Sequence, residues 1–139
     1  MPREIKHRLT FGAPPRQVYA ALMNEKNHAA FTGAEARIAS EVGGRFSVQG
    51  GFITGFNVEL AVAKRIVQAW RSRNWPIGAW SIVTFELSRQ GKERTRVTFT
   101  QYGVPDKFHA QISDGWRVHY WEPLRKWLAA QALAKKKRA

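Results

Sequence analysis

After Val104-Pro105, the residues Trp116, Tyr120, Leu124, Trp127 and Leu128 recur at steps of three and four, which is the spacing of a long helix with one Trp-rich apolar stripe. That stripe needs a large partner. From 35 to 104 the chain alternates at period two, with Gly43-Gly44, Gly50-Gly51, the stretch 74–78 and Gln90-Gly91 as turn punctuation. Six strands are predicted, at 35–39, 44–49, 53–60, 65–72, 81–89 and 94–102, close enough together for an antiparallel meander. Upstream, Ile5, His7, Leu9 and Phe11 alternate with Lys6, Arg8 and Thr10 as a first strand. Pro14-Pro15 then open a helix to Asn24 with Val18, Tyr19, Leu22 and Met23 on one face, and 24–31 forms a second short helix ended by Thr32 and Gly33. Two short helices cannot cover the Trp-rich stripe, so the long helix must lie on the sheet. The predicted fold is α+β: a seven-stranded curved antiparallel sheet, two short helices after strand 1, and a long C-terminal helix packed on the concave face. Ser113 or Asp114 is the expected N-cap. Pro123 is expected to bend the helix without ending it, because the apolar stripe continues on both sides.

The 139 residues suit one domain, placed at 1–134, with 135–139 as a basic, frayed tail. No Cys is present, which excludes disulfides and thiolate chemistry and makes a reducing compartment the default. No apolar run approaches a membrane span, and Met1 to Glu4 lead into no signal-like segment, so a cytoplasmic location without membrane insertion is expected. The net charge of +13, from 23 Lys and Arg against 10 acids, draws acidic partners by long-range steering. Because the basic residues are scattered, they are read as a solvated surface rather than a specific nucleic-acid site.

Catalysis has little support in the residues. The glycine cluster Gly50-Gly51 to Gly55 lacks the Lys and the strand-to-helix setting of a phosphate loop. His7, His28, His109 and His119 lack metal-site spacing, and the acids form no close pair, so no catalytic residue, metal or cofactor is assigned. Strand parity is more informative. It turns Ile66, Gln68 and Trp70 inward, with Val83, Phe85, Leu87, Val97, Phe99 and Gln101, and on the preceding strand Ile53, Gly55 and Asn57. A concavity lined by Asn57, Gln68, Trp70, Phe85, Phe99, Gln101, Trp116 and Tyr120 follows. Its polar members, with His7, either hydrogen-bond a ligand or satisfy one another and the backbone. Trp70, Trp116 and Trp127 read as core. Trp75 and Trp80 flank Pro76, Ile77 and Gly78 in a loop, and with Arg71 and Arg73 they form a candidate partner surface. The alternative is that these rings pack down onto the domain.

Several motifs occur in a specific order: Gly43-Gly44-Arg45-Phe46, Ile53-Thr54-Gly55, the strand from Arg65 to Arg71, Asn74-Trp75-Pro76, Gly103-Val104-Pro105, Gly115-Trp116, and Tyr120-Trp121-Glu122-Pro123-Leu124. In these the chain resembles the family of activators of the heat-shock protein 90 ATPase, within the START-like (SRPBCC) helix-grip superfamily. The likeness covers nearly the whole chain and is greatest to the activator's C-terminal domain. It implies the same architecture, and a heat-shock protein 90-type chaperone as partner. The activator's additional N-terminal domain has no counterpart in these motifs, so chaperone binding with poor stimulation by this domain alone is the implied behaviour. Relatives in the wider superfamily enclose hydrophobic molecules, which implies a second reading as carrier or sensor of a small hydrophobic ligand. A third is a cyclase or dehydratase in the same cavity, which needs His7, His109 or His119 beside a second polar group. Where family members tend to carry Glu followed by an aromatic, this chain has Phe56-Asn57. Either an amide replaces an inward aromatic, or a register shift returns Phe56 to the interior.

Overall fold

A computed structural model describes residues 3–138. Its first strand, β1 (Ile5–Phe11), leads to α1 (Pro15–Met23) and α2 (Glu25–Thr32). Asn24 joins the two helices: its N–H donates to the Ala20 carbonyl to close α1, and its side chain accepts from the Asn27 N–H to open α2. Gly33 closes α2 in the left-handed region at φ 74°, a conformation glycine adopts without Cβ strain.

The meander follows as β2 (Arg37–Ile38), β3 (Arg45–Val48), β4 (Ile53–Ala61), β5 (Arg65–Ser72), β6 (Ser81–Gly91) and β7 (Arg94–Tyr102). The sheet order is β1-β7-β6-β5-β4-β3-β2, antiparallel at every step. The curved seven-stranded sheet with its covering helix is therefore as expected. β2 is shorter than the stretch 35–39 read from the sequence. Register sets the inner rows. Ile66, Phe85, Phe99 and His7 lie side by side across four strands, and Asn57, Gln68, Val83 and Gln101 form the next row.

The C-terminal helix differs from expectation in two ways. It starts at His109, as α3 (His109–Trp116), so neither Ser113 nor Asp114 is its N-cap. The stripe extends backward through Ile112 and Phe108 in steps of four from Trp116, and both pack on the core. The second difference lies just before Pro123. Residues Arg117–Trp121 form a π turn, in which the Glu122 N–H reaches back five residues to the Arg117 carbonyl, and α4 (Glu122–Arg138) resumes the regular ladder. Pro123 has no N–H to give, so the ladder is already interrupted where the register changes. The wide turn sets Trp121 over Trp116, with the rings stacked at 5.5 Å and 24°. At 3.6 residues per turn, position 121 falls about 140° around the axis from 116, so a regular helix does not bring the two rings together. α4 continues through Lys135, Lys136, Lys137 and Arg138, which the sequence reading set apart as a tail. Basic side chains suit that end of a helix because its dipole is negative there.

Candidate functional site

The space between sheet and helix is filled on one side and hollow on the other. Toward β6, β7 and β1, Phe85, Phe99, Trp116 and Trp121 meet at centroid distances of 4.4 to 6.2 Å, and all four are buried. Toward β3, β4 and β5 a cavity of about 720 Å³ remains beneath α3. Phe46, Ile53 and Trp70 form its floor, and Ile112 and Trp116 its roof. Gly55 behind this floor has no room for a side chain, because a Cβ there would lie 1.9 Å from the Ala69 carbonyl oxygen and 2.5 Å from the Phe46 ring.

Of the eight cavity candidates, Gln68, Trp70, Trp116 and Tyr120 line this space. Phe85 and Phe99 belong to the filled side. Asn57 is fully buried, and its amide N–H groups donate to the Ala39 and Glu41 carbonyls at 2.6 and 3.0 Å, anchoring the turn between β2 and β3. Its Oδ1 accepts from Gln68 Nε2 at 3.1 Å. Gln101 donates to Ser81 Oγ at 3.0 Å and accepts from Trp116 Nε1 at 2.8 Å. These two amides are thus spent within the protein, because burial without partners costs about 1–3 kcal/mol per group. Parity holds at this point of β4: Phe56 faces outward and Asn57 inward, and the register shift comes after Asn57.

The histidines divide in the same way. His7 lies outside the cavity: its Nδ1 accepts from Trp121 Nε1 at 2.9 Å, which leaves the ring proton on Nε2, 3.1 Å from Ser113 Oγ. Burial, reinforced by the Arg117 charge and opposed by Asp114, lowers its pKa. Of His7, His109 and His119, the last lines the cavity, as does Asp114. The residue that sequence reasoning passed over is His28. It is 1% exposed, lines the cavity, and shares a hydrogen bond with the Tyr120 hydroxyl. Burial pushes the His28 pKa down to about 4 and raises that of Tyr120, so both groups are neutral near pH 7. His28 and Tyr120 together hold two polar protons but share one hydrogen bond, and His28 Nδ1 meets no protein partner. One donor therefore stays unused, on the Nδ1 or on the phenol. A hint was available in α2, where His28 stands three residues before Phe31 and so on the same face.

The partner-surface candidates are also redistributed. Trp75 is 4% exposed and packs against Trp70 at 5.5 Å, so it belongs to the core rather than to a surface. Arg71 explains this packing: its guanidinium donates to the Trp75 and Pro76 carbonyls at 2.9 and 3.0 Å and to Ala79 at 3.3 Å, which folds the loop back. The same guanidinium lies 5.8 Å from the Trp80 ring centroid. Trp80 and Ile77 are exposed, and Arg73 reaches the Gly51 carbonyl at 3.4 Å. Among the described residues no helix is long and apolar enough to cross a membrane.

The family described as "Activator of Hsp90 ATPase homolog 1-like protein" matches residues 12–129. An activator of 90 kDa heat shock protein ATPase homolog from Dictyostelium discoideum is 35% identical over 115 residues, covering 83% of this chain and 30% of that protein. The human homolog 1 is 28% identical over 116 residues, covering 84% of this chain and 34% of that protein. The chain thus spans about a third of the length of these curated relatives. Among solved structures, the crystal structure of an HSP90 activator from Plasmodium falciparum superposes with a TM-score of 0.85 at 22% identity, over 91% of this chain and 96% of that one, a likeness of fold. With strands β2 to β7, both short helices and the final helix as far as residue 129 inside the matched range, the chain belongs to the Activator of Hsp90 ATPase homolog 1-like family.

Proposed function

We propose that this chain is a non-catalytic interaction module of the co-chaperone type, which docks on a heat-shock protein 90-type chaperone and acts on ATP turnover that belongs to that partner. The observation that carries the reading is the family match across residues 12–129. A net charge of +13 favours an acidic partner by steering. Arg71, Arg73 and Trp80 remain candidates for the docking edge, with Trp75 as their buried support. Calorimetric titration of purified heat-shock protein 90 is expected to give saturable binding, weakened by salt. No detectable heat or complex at low salt rules the reading out.

A second reading is favoured by the cavity. Its volume of about 720 Å³ lies in the range of small-molecule sites, and its walls are largely apolar. Gln68, His119 and Asp114 add polar groups to that lining, which suits a ligand with a few polar atoms on an apolar body. Native mass spectrometry of freshly purified protein separates the two readings: a co-purified hydrophobic molecule supports the carrier, and a clean mass leaves the interaction module ahead.

A further inference from the structure

The outer face of the sheet, away from both helix and cavity, carries an unusual row. Phe56, Ala69, Ile82 and Tyr102 are neighbours across β4, β5, β6 and β7, because Phe56 pairs with Ala69, Ala69 with Ile82, and Ile82 with Tyr102. Phe56, Ile82 and Tyr102 are 41%, 45% and 50% exposed. Trp80, itself 44% exposed, extends the row by meeting Phe56 edge to face at 5.9 Å. An outward sheet face in contact with water normally alternates to polar side chains, so four large apolar groups in one patch mark a surface that is covered part of the time.

The surrounding charge says what covers it. Arg45 pairs with Phe56 across β3 and β4, at one end of the row, and Lys6 stands on the same face of β1, opposite Thr100. Neither has an acidic partner among the described residues. Glu59 and Glu86 are both bound to Arg65, and Glu4 stands just before β1, one step beyond the Ile5 to Gln101 pair and so beside Tyr102. Arg45 and Lys6, with Arg71 5.8 Å from the Trp80 ring, thus outnumber Glu4 around an apolar centre, within a chain of net charge +13. A second copy of the same chain meets like charge here. Nucleic acid is disfavoured by shape: Phe56 and Trp80 stand at 62° to each other beside aliphatic Ile82, so they offer no parallel platform for bases.

We infer that the row Phe56, Ile82 and Tyr102, with Trp80, is the docking surface for an acidic protein partner that inserts apolar side chains among its carboxylates. The inference rests on the proposed co-chaperone reading and names the face that reading uses. Large aromatic and cationic side chains around a desolvated centre are the usual composition of interface hot spots. The cavity is then free for a separate role on the opposite side of the sheet.

The test is calorimetric titration of purified heat-shock protein 90 with the wild type, with a Phe56→Ser/Ile82→Glu double variant, and with Val118→Ser at the cavity mouth. All three altered side chains are exposed, so the variants keep the fold. A Trp80→Ala/Tyr102→Ser variant gives an independent second reading of the same face. Both double variants are expected to weaken binding by about tenfold or more, and Arg45→Glu by about threefold at low salt, with Val118→Ser unchanged. Wild-type binding that survives in both double variants overturns the docking face and leaves the co-chaperone reading standing. Absence of wild-type binding overturns both. A concentration-dependent homodimer abolished by the double variants assigns the face to a second copy, and tight oligouridine binding abolished by them assigns it to nucleic acid; either outcome overturns the inference.

Discussion

One helix covers two halves of the same sheet, and the halves differ in what lies beneath it. Under Trp121 the space is filled by Phe85, Phe99 and the Trp116 ring, with Phe11 6.2 Å from Trp121. Under α3 the same sheet leaves a cavity of about 720 Å³. Side-chain volume accounts for much of this. The filled half receives two aromatics from β6 and β7 and one extra indole from the π turn, whereas β4 contributes Gly55 and the small amide Asn57. The polar groups follow the same division. In the filled half His7 and Gln101 are tied to the two tryptophans, and in the hollow half His28 and Tyr120 keep a donor unspent.

The most severe way to break the comparison is to empty the filled half. Trp121→Ala removes a ring that is 2% exposed, leaves the His7 Nδ1 without its donor, and is expected to cost about 3–5 kcal/mol in urea unfolding. A loss below about 1 kcal/mol shows that the half is not the tightly packed one.

Acid tests the hollow half. The His28 pKa lies at about 4 in the folded protein against an ordinary 6.5, so between those values the unfolded chain takes up a proton that the folded one refuses. Stability is therefore fully present above pH 6.5 and falls by about 3 kcal/mol as the pH drops toward 4. His7, also lowered, adds to the loss in the same direction. In His28→Gln much of this slope should vanish when unfolding midpoints are measured across that range. An unchanged slope places the acid sensitivity elsewhere.

Overfilling sharpens the contrast at smaller cost. Val97→Phe, at a fully buried position of β7 in the filled half, is expected to lose about 1–3 kcal/mol. Val48→Phe, on the cavity wall, is expected to cost less than about 1 kcal/mol because the added ring enters open space. Equal losses from the two sink the distinction. The smallest effect belongs outside both halves: Ile77→Ser, at the exposed tip of the β5 to β6 loop, should leave the unfolding free energy in urea within about 0.5 kcal/mol of wild type.

Much of the architecture was legible in the sequence, because it is written in local periods. Alternation along β5, β6 and β7 placed Ile66, Gln68, Val83, Phe85, Val97 and Phe99 on the inner face, where they lie. The site was legible only in part. Trp75 sits beside an exposed-looking Pro76-Ile77-Gly78 turn, and what buries it is the Arg71 side chain holding that turn's carbonyls. Trp121 stands three residues before Leu124 and seven before Leu128, so its burial was readable from spacing, whereas only a π turn brings it over Trp116. His28 gave almost no signal, since its partner lies 92 residues away on another helix.

The sequence by itself determined the order and type of the elements, and which side chains of each strand face inward. Those properties follow from backbone geometry at two or 3.6 residues per turn, which acts over a few neighbours. The tertiary structure alone decided which inward groups find partners, which half is filled, and where apolar surface is left open to a partner. These depend on pairs such as His7 with Trp121, 114 residues apart, and on volumes to which several elements contribute. The long C-terminal helix shows both sides of this. Its stripe was readable from spacing, whereas its widened turn, and the packed and hollow halves on either side, exist only once the helix meets the sheet.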